Sequence, residues 1–238
     1  MKAIILAAGV GSRLLPHTHE LPKCLLEIKG KPIIQHQLEA LRLNHLKEVV
    51  VVIGHQGNKL KDFLSQEEFS DFNFKFIENK NYKDTNSSYS LWLAKDLIKE
   101  GFIYLNSDLI FHPDLLRRLL ENKSPSSIII NKDIKTNDDM FKINLEGDKI
   151  TLIDKNLPLH EAHGKAIGPA KFDSNHSLKL IEKLDELILK GNKNEWVYSI
   201  FSKFAQENPF LAIENEGLYW GEIDIPDDLE NIKSLLKN

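Results

Sequence analysis

The sequence predicts a three-layer α/β sandwich, a sheet with helices on both faces. Three observations carry this: continuous apolar runs bounded by turn residues, helical periodicity between those runs, and repetition of the pair as far as Leu105. Residues 3–8 and 48–53 read as strands buried on both faces of a parallel sheet, because neither alternates polar with apolar. Between them Ile33, Ile34, Leu38 and Leu41 recur at helical spacing after Pro32, a residue suited to a first helical turn. The pattern repeats as a helix near residues 60–63, a strand at 74–77, a helix from about 88 to 98 and a buried strand at 102–105.

After Asp108 the rhythm changes. A helix around 114–120 leads to shorter strands at 127–130, 141–145 and 150–153, the last two joined as a hairpin by Glu146-Gly147-Asp148. A strand at 164–172, amphipathic helices at 178–189 and 195–204, a strand at 211–213, the segment 219–225 and a helix from Pro226 complete the chain. No repeat, low-complexity tract or linker divides it. The expectation is one domain over 1–238: a first half to about 110, a continuous second lobe from about 111 to 225, and a closing helix over 226–238.

Composition narrows the function. With 238 residues, 42% hydrophobic and 28% charged, the chain can bury an ordinary globular core. Lys plus Arg total 31 against 35 Asp plus Glu, and the net charge of −4 gives no overall field for nucleic acid or an anionic membrane. Any phosphate site must therefore be local. The single cysteine, Cys24, excludes an internal disulfide and a cysteine-rich zinc site. The first apolar run is too short for a secretory signal or a membrane span, and no later run reaches spanning length, so a cytoplasmic protein is expected.

The informative stretch is Leu6-Ala7-Ala8-Gly9-Val10-Gly11-Ser12-Arg13, followed by Leu21-Pro22-Lys23. Gly9 and Gly11 let backbone N–H groups approach an anion such as a triphosphate. Arg13 adds a planar, permanently charged fork, and Lys23 a second cation from the far end of the loop. A dinucleotide fingerprint would need a third glycine where this chain has Leu14, and a Walker loop needs a Gly-Lys-Ser/Thr that is absent.

At these residues the chain resembles the nucleotidyltransferases that make NDP-sugars and CDP-alcohols, and Leu25-Leu26-Glu27-Ile28-Lys29-Gly30-Lys31-Pro32 continues the match. In appearance it is similar to small cytidylyltransferases of the CTP:phosphocholine type, over nearly its whole length. The resemblance implies a Rossmann-like three-layer sandwich with a mixed, mostly parallel sheet and a small inserted substrate lobe. It places Leu6, Ala8, Gly9, Gly11, Ser12 and Arg13 around the nucleotide, with Lys23 and Arg13 as the catalytic cations. Asp108 and Asp224 resemble the family's two metal-binding aspartates, although Ser107 and Ile225 stand where relatives carry glycine and threonine. The implied cofactor is Mg2+, which favours oxygen ligands and completes its shell with water and phosphate, so two carboxylates suffice. Asn86 and Ser90 are similar to a base-contact segment of CTP-using members, while Ser87 or Ser88 can equally cap the helix that begins there.

The resemblance implies transfer of a cytidylyl group from CTP to a small phosphorylated or phosphonate acceptor, phosphocholine-like, with pyrophosphate release, for decoration of a cell-surface glycan or lipid. Lys142, Gly168, Trp196, Trp220 and Glu222 are the expected acceptor residues, the aromatics offering faces to a quaternary ammonium. Trp196 also fits the apolar face of a helix, and Lys165 stands where relatives carry glutamate. Two alternatives remain: a sugar-1-phosphate nucleotidyltransferase using UTP or dTTP, and an inactive nucleotide-sensing homologue. Monomer and homodimer are both open.

Overall fold

The computed structural model describes residues 1–133 and 140–236. Its strands are β1 (Lys2–Ala7), β2 (Glu27–Ile28), β3 (Lys31–Pro32), β4 (Glu48–Ile53), β5 (Asn73–Glu78), β6 (Phe102–Asn106), β7 (Leu109–Phe111), β8 (Ser126–Asn131), β9 (Lys142–Glu146), β10 (Lys149–Asp154), β11 (Gly164–Phe172), β12 (Leu211–Glu214) and β13 (Trp220–Glu222). The helices are α1 (Ile33–Leu43), α2 (Gly57–Leu64), α3 (Ser87–Leu93), α4 (Asp114–Glu121), α5 (Ser174–Leu189), α6 (Val197–Glu207) and α7 (Pro226–Leu235). The last two residues of the expected closing segment, 237–238, lie outside the described residues.

The apolar runs become the centre of a nine-stranded sheet, ordered β5-β4-β1-β6-β11-β8-β12-β10-β9. Successive side chains of β1 go to opposite faces, which is why the run needs no polar alternation. Ile4 and Leu6 join the apolar cluster beneath α3, α5 and α6, whereas Ala3, Ile5 and Ala7 join the one beneath α1, α2 and α4. The sheet is mixed, but it departs from the mostly parallel expectation. Parallel pairing is confined to β5–β4, β4–β1, β1–β6 and β8–β12. β11 runs against β6 and β8, and β10 runs against β12 and β9, because β9 and β10 form a hairpin and β11 is a long returning strand.

Two short ladders escaped the sequence reading. β2 pairs with β3, and β7 pairs with β13 so that Leu109 opposes Glu222 and Phe111 opposes Trp220. Two helices also differ from expectation. The regular part of α3 stops at Leu93 and gives way to a 3-10 turn at Lys95–Leu97. The start of α6 is Val197, with Trp196 at its N-cap in an extended conformation, so Trp196 projects from the helix end instead of lying on its apolar face. Among the described residues no helix is long and apolar enough to cross a membrane.

Where α5 begins, Asp173 caps the helix by accepting a hydrogen bond from the His176 N–H at 2.8 Å. The buried His176 ring lies 2.8 Å from Ser126 Oγ and packs edge-on against Phe204. Burial holds its pKa below the ordinary histidine value, against the opposing pull of Asp173. The folded protein therefore takes up this proton less readily than the unfolded chain, whose histidines titrate near about 6.5. The His176 contribution to stability is complete above that pH and is lost as pH falls below it. Between pH 7.5 and about 5.5 the Tm should fall, and His176→Asn should flatten that part of the fall. Identical slopes for the two proteins would refute the assignment.

Candidate active site

The loop after β1 owes its shape to two residues with opposite tasks. Gly11 has a φ of 65°, in the left-handed region, and a Cβ there would lie 3.1 Å from Thr18 Cγ2 and 3.3 Å from Lys23 Cβ. Thr18 Oγ1 donates to the Gly11 carbonyl at 2.8 Å, closing the loop on itself. Leu14, the residue that breaks the dinucleotide fingerprint, is fully buried among Leu26, Ile28, Ile33, Ile110, Ile223 and Ile232. It anchors the loop, while its neighbour Arg13 remains half exposed. A Cβ on Gly9 would meet nothing within 4 Å, so that position is open to an approaching ligand.

This loop floors a cavity of about 320 Å³ lined by Leu6, Ala8, Gly9, Gly11, Ser12, Arg13, Lys23, Asn86, Ser90, Asp108 and Asp224. All eleven were singled out from sequence as nucleotide, catalytic or metal residues, and the fold brings them to one place. At its centre Lys23 Nζ lies 2.7 Å from Asp108 Oδ2 and 2.8 Å from Asp224 Oδ1, with only 12% of the Lys23 side chain exposed. Arg13 Nη2 lies 2.8 Å from the same Asp224 oxygen. The β7–β13 ladder makes this meeting possible, and it continues with the Ile223 N–H donating to the Asp108 carbonyl at 3.0 Å. Asp228, at the start of α7, accepts from the Asp224 and Ile225 N–H groups at 2.7 and 2.9 Å and fixes the turn that carries Asp224.

Burial alone would pull the Lys23 pKa down, but Asp108 and Asp224 outweigh it and hold the ammonium above its ordinary value. Burial would likewise raise Asp224, yet Lys23 and then Arg13 bring it below the usual carboxylate range. Both groups are charged at neutral pH. Burial pushes the Cys24 thiol, also on the cavity wall, up to about 12, so it is no nucleophile.

Among the described residues Asp108 Oδ1 is buried with no hydrogen-bond partner. A cation beside it would satisfy that oxygen, and Asp224, which shares the Lys23 ammonium with Asp108, is the second carboxylate of the site. Among the described residues no group of three His, Cys, Asp or Glu converges, so water and phosphate would complete the coordination of such an ion. The pair fits magnesium in this sense.

At the far end of the cavity Asn79 Nδ2 donates to Thr85 Oγ1 and Ser90 Oγ at 3.0 and 3.1 Å. Asn86 is the N-cap of α3, its Oδ1 accepting from the Ser87 N–H at 2.7 Å. Ser87 instead accepts from the Val197 N–H at 2.8 Å, which joins α3 to α6. Asn79 and Tyr82, both cavity residues, were missed from sequence; their position just beyond the carboxyl end of β5 was the available signal.

A second cavity, of about 120 Å³, opens beside the first and shares Arg13, Ser87, Asn106, Asp108, Trp196 and Asp224 with it. Trp196 is 46% exposed there, and Glu222 is on its wall. Lys165 Nζ lies 2.7 Å from Glu222 Oε2 and 4.8 Å from the Trp220 ring centre. Burial holds Glu222 above the usual carboxylate range, although Lys165 opposes this. Three expected acceptor residues line neither cavity. Lys142 is 1% exposed, on β9 in register with Asp154. Gly168 is packed against Leu109 and Tyr198 in the irregular part of β11. Trp220 is half-buried in the β7–β13 ladder, beneath Lys165. Each lies behind the wall because strand register, which sequence does not give, turns it there.

Residues 3–143 match the family described as the MobA-like NTP transferase domain. The chain belongs to that family. This MobA-like NTP transferase is 33% identical over 256 residues to the CTP:phosphoglutamine cytidylyltransferase of Campylobacter jejuni, covering 97% of this chain and 98% of that protein. It is 26% identical to the choline-phosphate cytidylyltransferase of Streptococcus pneumoniae, covering 100% and 99%. The structure of an inositol-1-phosphate CTP transferase from T. maritima superposes with a TM-score of 0.82 at 20% identity, over 98% of this chain and 94% of that one, which shows the shared fold. The MobA-like chain is a nucleotidyltransferase.

Gly9→Ala should leave stability within about 0.5 kcal/mol of the parent while weakening binding of a nucleoside triphosphate, because only a ligand meets the new methyl. Gly11→Ala, strained and crowded, should cost about 1 kcal/mol or more and weaken binding as well. Thermal unfolding and calorimetric titration separate the two; equal losses of Tm would contradict this division of tasks.

Proposed function

We propose that this nucleotidyltransferase moves a cytidylyl group from CTP to a small phosphorylated acceptor and releases pyrophosphate, with magnesium as cofactor. The observation that carries the reading is the convergence of Arg13, Lys23, Asp108 and Asp224 at the junction of the two cavities. The larger cavity takes CTP, with the triphosphate along Gly9–Gly11 and the base toward Asn86 and Ser90. Preference for CTP is supported by the two relatives matched along almost their full length, both named cytidylyltransferases. Asn86 suits a pyrimidine base there, since its Oδ1 is engaged by Ser87 and its amide NH2 can donate to the O2 carbonyl that cytosine and uracil share.

In this reading an oxygen of the acceptor phosphate bonds to the α-phosphorus as the bond to the bridging α–β oxygen breaks. The electron pair leaves with pyrophosphate. A phosphate monoester dianion is nucleophilic enough to need no base, so positioning and charge neutralisation do the work. Lys23, kept charged by its carboxylates, and Arg13 bind the α-phosphate oxygens, which gain charge in the transition state. Asp108 and Asp224 would hold magnesium, which neutralises phosphate charge when bound.

A pyrophosphate-release assay with CTP, UTP, dTTP, ATP and GTP over several phosphorylated acceptors should show CTP used best. Faster release with UTP or dTTP and a sugar 1-phosphate would replace this reading by the sugar-nucleotide one. Lys23→Ala should lower kcat by about 10²–10³, with unfolding in the presence of magnesium showing that the fold is kept. A near-normal kcat in that folded variant would remove the mechanism.

A further inference from the structure

The arch over residues 9–17 contains one short 3-10 turn, Ser12–Leu14, and no strand or α-helix. Leu14 pins its middle to the apolar knot, and a single residue from elsewhere pins both its ends. His55 lies just past β4, after Gly54, where a Cβ would come within 2.6 Å of the Ala8 carbonyl oxygen. This close passage lets the His55 backbone N–H donate to the Ala8 carbonyl at 3.1 Å, where the arch leaves β1. The half-buried His55 ring reaches the other end, its Nε2 2.9 Å from the Thr18 carbonyl oxygen. A carbonyl oxygen can only accept, so Nε2 carries the hydrogen. Thr18 is fully buried and passes the restraint on, because its hydroxyl donates to the Gly11 carbonyl at 2.8 Å. The carbonyls of His19 and Glu20 also accept, from Gln56 at 3.5 Å and from Lys59, but those contacts are open to water, which competes for the same groups.

An arch that binds a triphosphate through main-chain N–H groups must present them already aligned, since ordering a free loop on binding costs affinity. We propose that His55 is a positioning residue for the triphosphate, fixing both ends of the arch and, through Thr18, the left-handed turn at Gly11. This rests on the reading of the arch as the triphosphate seat. His55 lies behind the wall of the larger cavity, so it acts on a ligand only through its neighbours. One of those neighbours offers a second route. The His55 ring centre stands 6.1 Å from that of Tyr82, which is on the wall, so the hydrogen bond to Thr18 and the ring contact must be tested apart.

The test titrates the full chain, with magnesium, against inorganic triphosphate and a CTP analogue bearing a methylene between the α- and β-phosphorus, read by calorimetry below the Tm of each variant. His55→Phe keeps a ring against Tyr82 and has no donor; His55→Gln keeps an N–H near the same point and has no ring. His55→Phe should weaken both ligands by about three- to tenfold, the worth of one hydrogen bond, and His55→Gln should bind them as the parent does. Thr18→Val, close in volume, cuts the second link and should weaken both ligands too. The double variant His55→Phe/Thr18→Val should lose less than the product of the two single losses, because the links act in series. Parent-like affinity in His55→Phe, or an equal loss in His55→Gln, overturns the inference; should His55→Phe fail to fold, parent-like affinity in Thr18→Val overturns it instead. A parent that binds inorganic triphosphate but releases no pyrophosphate from any NTP overturns cytidylyl transfer and leaves the role of His55 standing. Pyrophosphate release from CTP with no effect of His55→Phe on triphosphate affinity overturns the role of His55 alone.

Discussion

One ammonium group holds two carboxylates together. Asp108 and Asp224 arrive from distant parts of the chain, and in a partly buried place their like charges repel. Lys23 sits within 2.8 Å of both and is itself screened from water, so each of the three charges depends on the other two. Removing the lysine would leave paired, partly desolvated anions, a more costly arrangement than leaving out the whole set. In the proposed transfer the same constraint would prepare the chemistry. A cation that is already desolvated and fixed needs little reorganisation when a phosphorus centre gains charge beside it.

The surrounding architecture serves that contact. β1 carries the loop with Gly9, Gly11 and Arg13 to the carboxyl edge of the sheet, β6 delivers Asp108 to the same edge, and β7–β13 folds Asp224 back over it. The two cavities share six residues around this point, so in the proposed transfer a triphosphate in one and an acceptor in the other would meet at the same side chains.

Much of this was legible in the sequence. The buried strands β1, β4 and β6 carry a long apolar signal, and β4 and β11 match their predicted limits at Glu48–Ile53 and Gly164–Phe172. The cationic loop and both aspartates could be singled out because local pattern and order along the chain identify them. What escaped notice depends on distant partners. β7 and β13 are three residues each and have no period to detect. Trp196 reads as a helix-face residue until the cap shows that α6 begins one residue later. Phe141 and Trp196 lie far apart in the chain, so no spacing announces that their rings meet with centres 6.0 Å apart.

The closing helix has a mechanical role that its position near the end of the described chain conceals. Asp228 clasps the backbone of Asp224, while Ile232 packs into the same apolar knot as Leu14 and Ile223. A displacement of α7 is thereby transmitted to the aspartate turn and to the arginine-bearing loop together. Anything fused beyond Leu235, an affinity tag or a neighbouring module, pulls on a lever whose short arm ends at the contact between Asp224 and Lys23. Engineers working with this protein have reason to place such attachments at the other terminus.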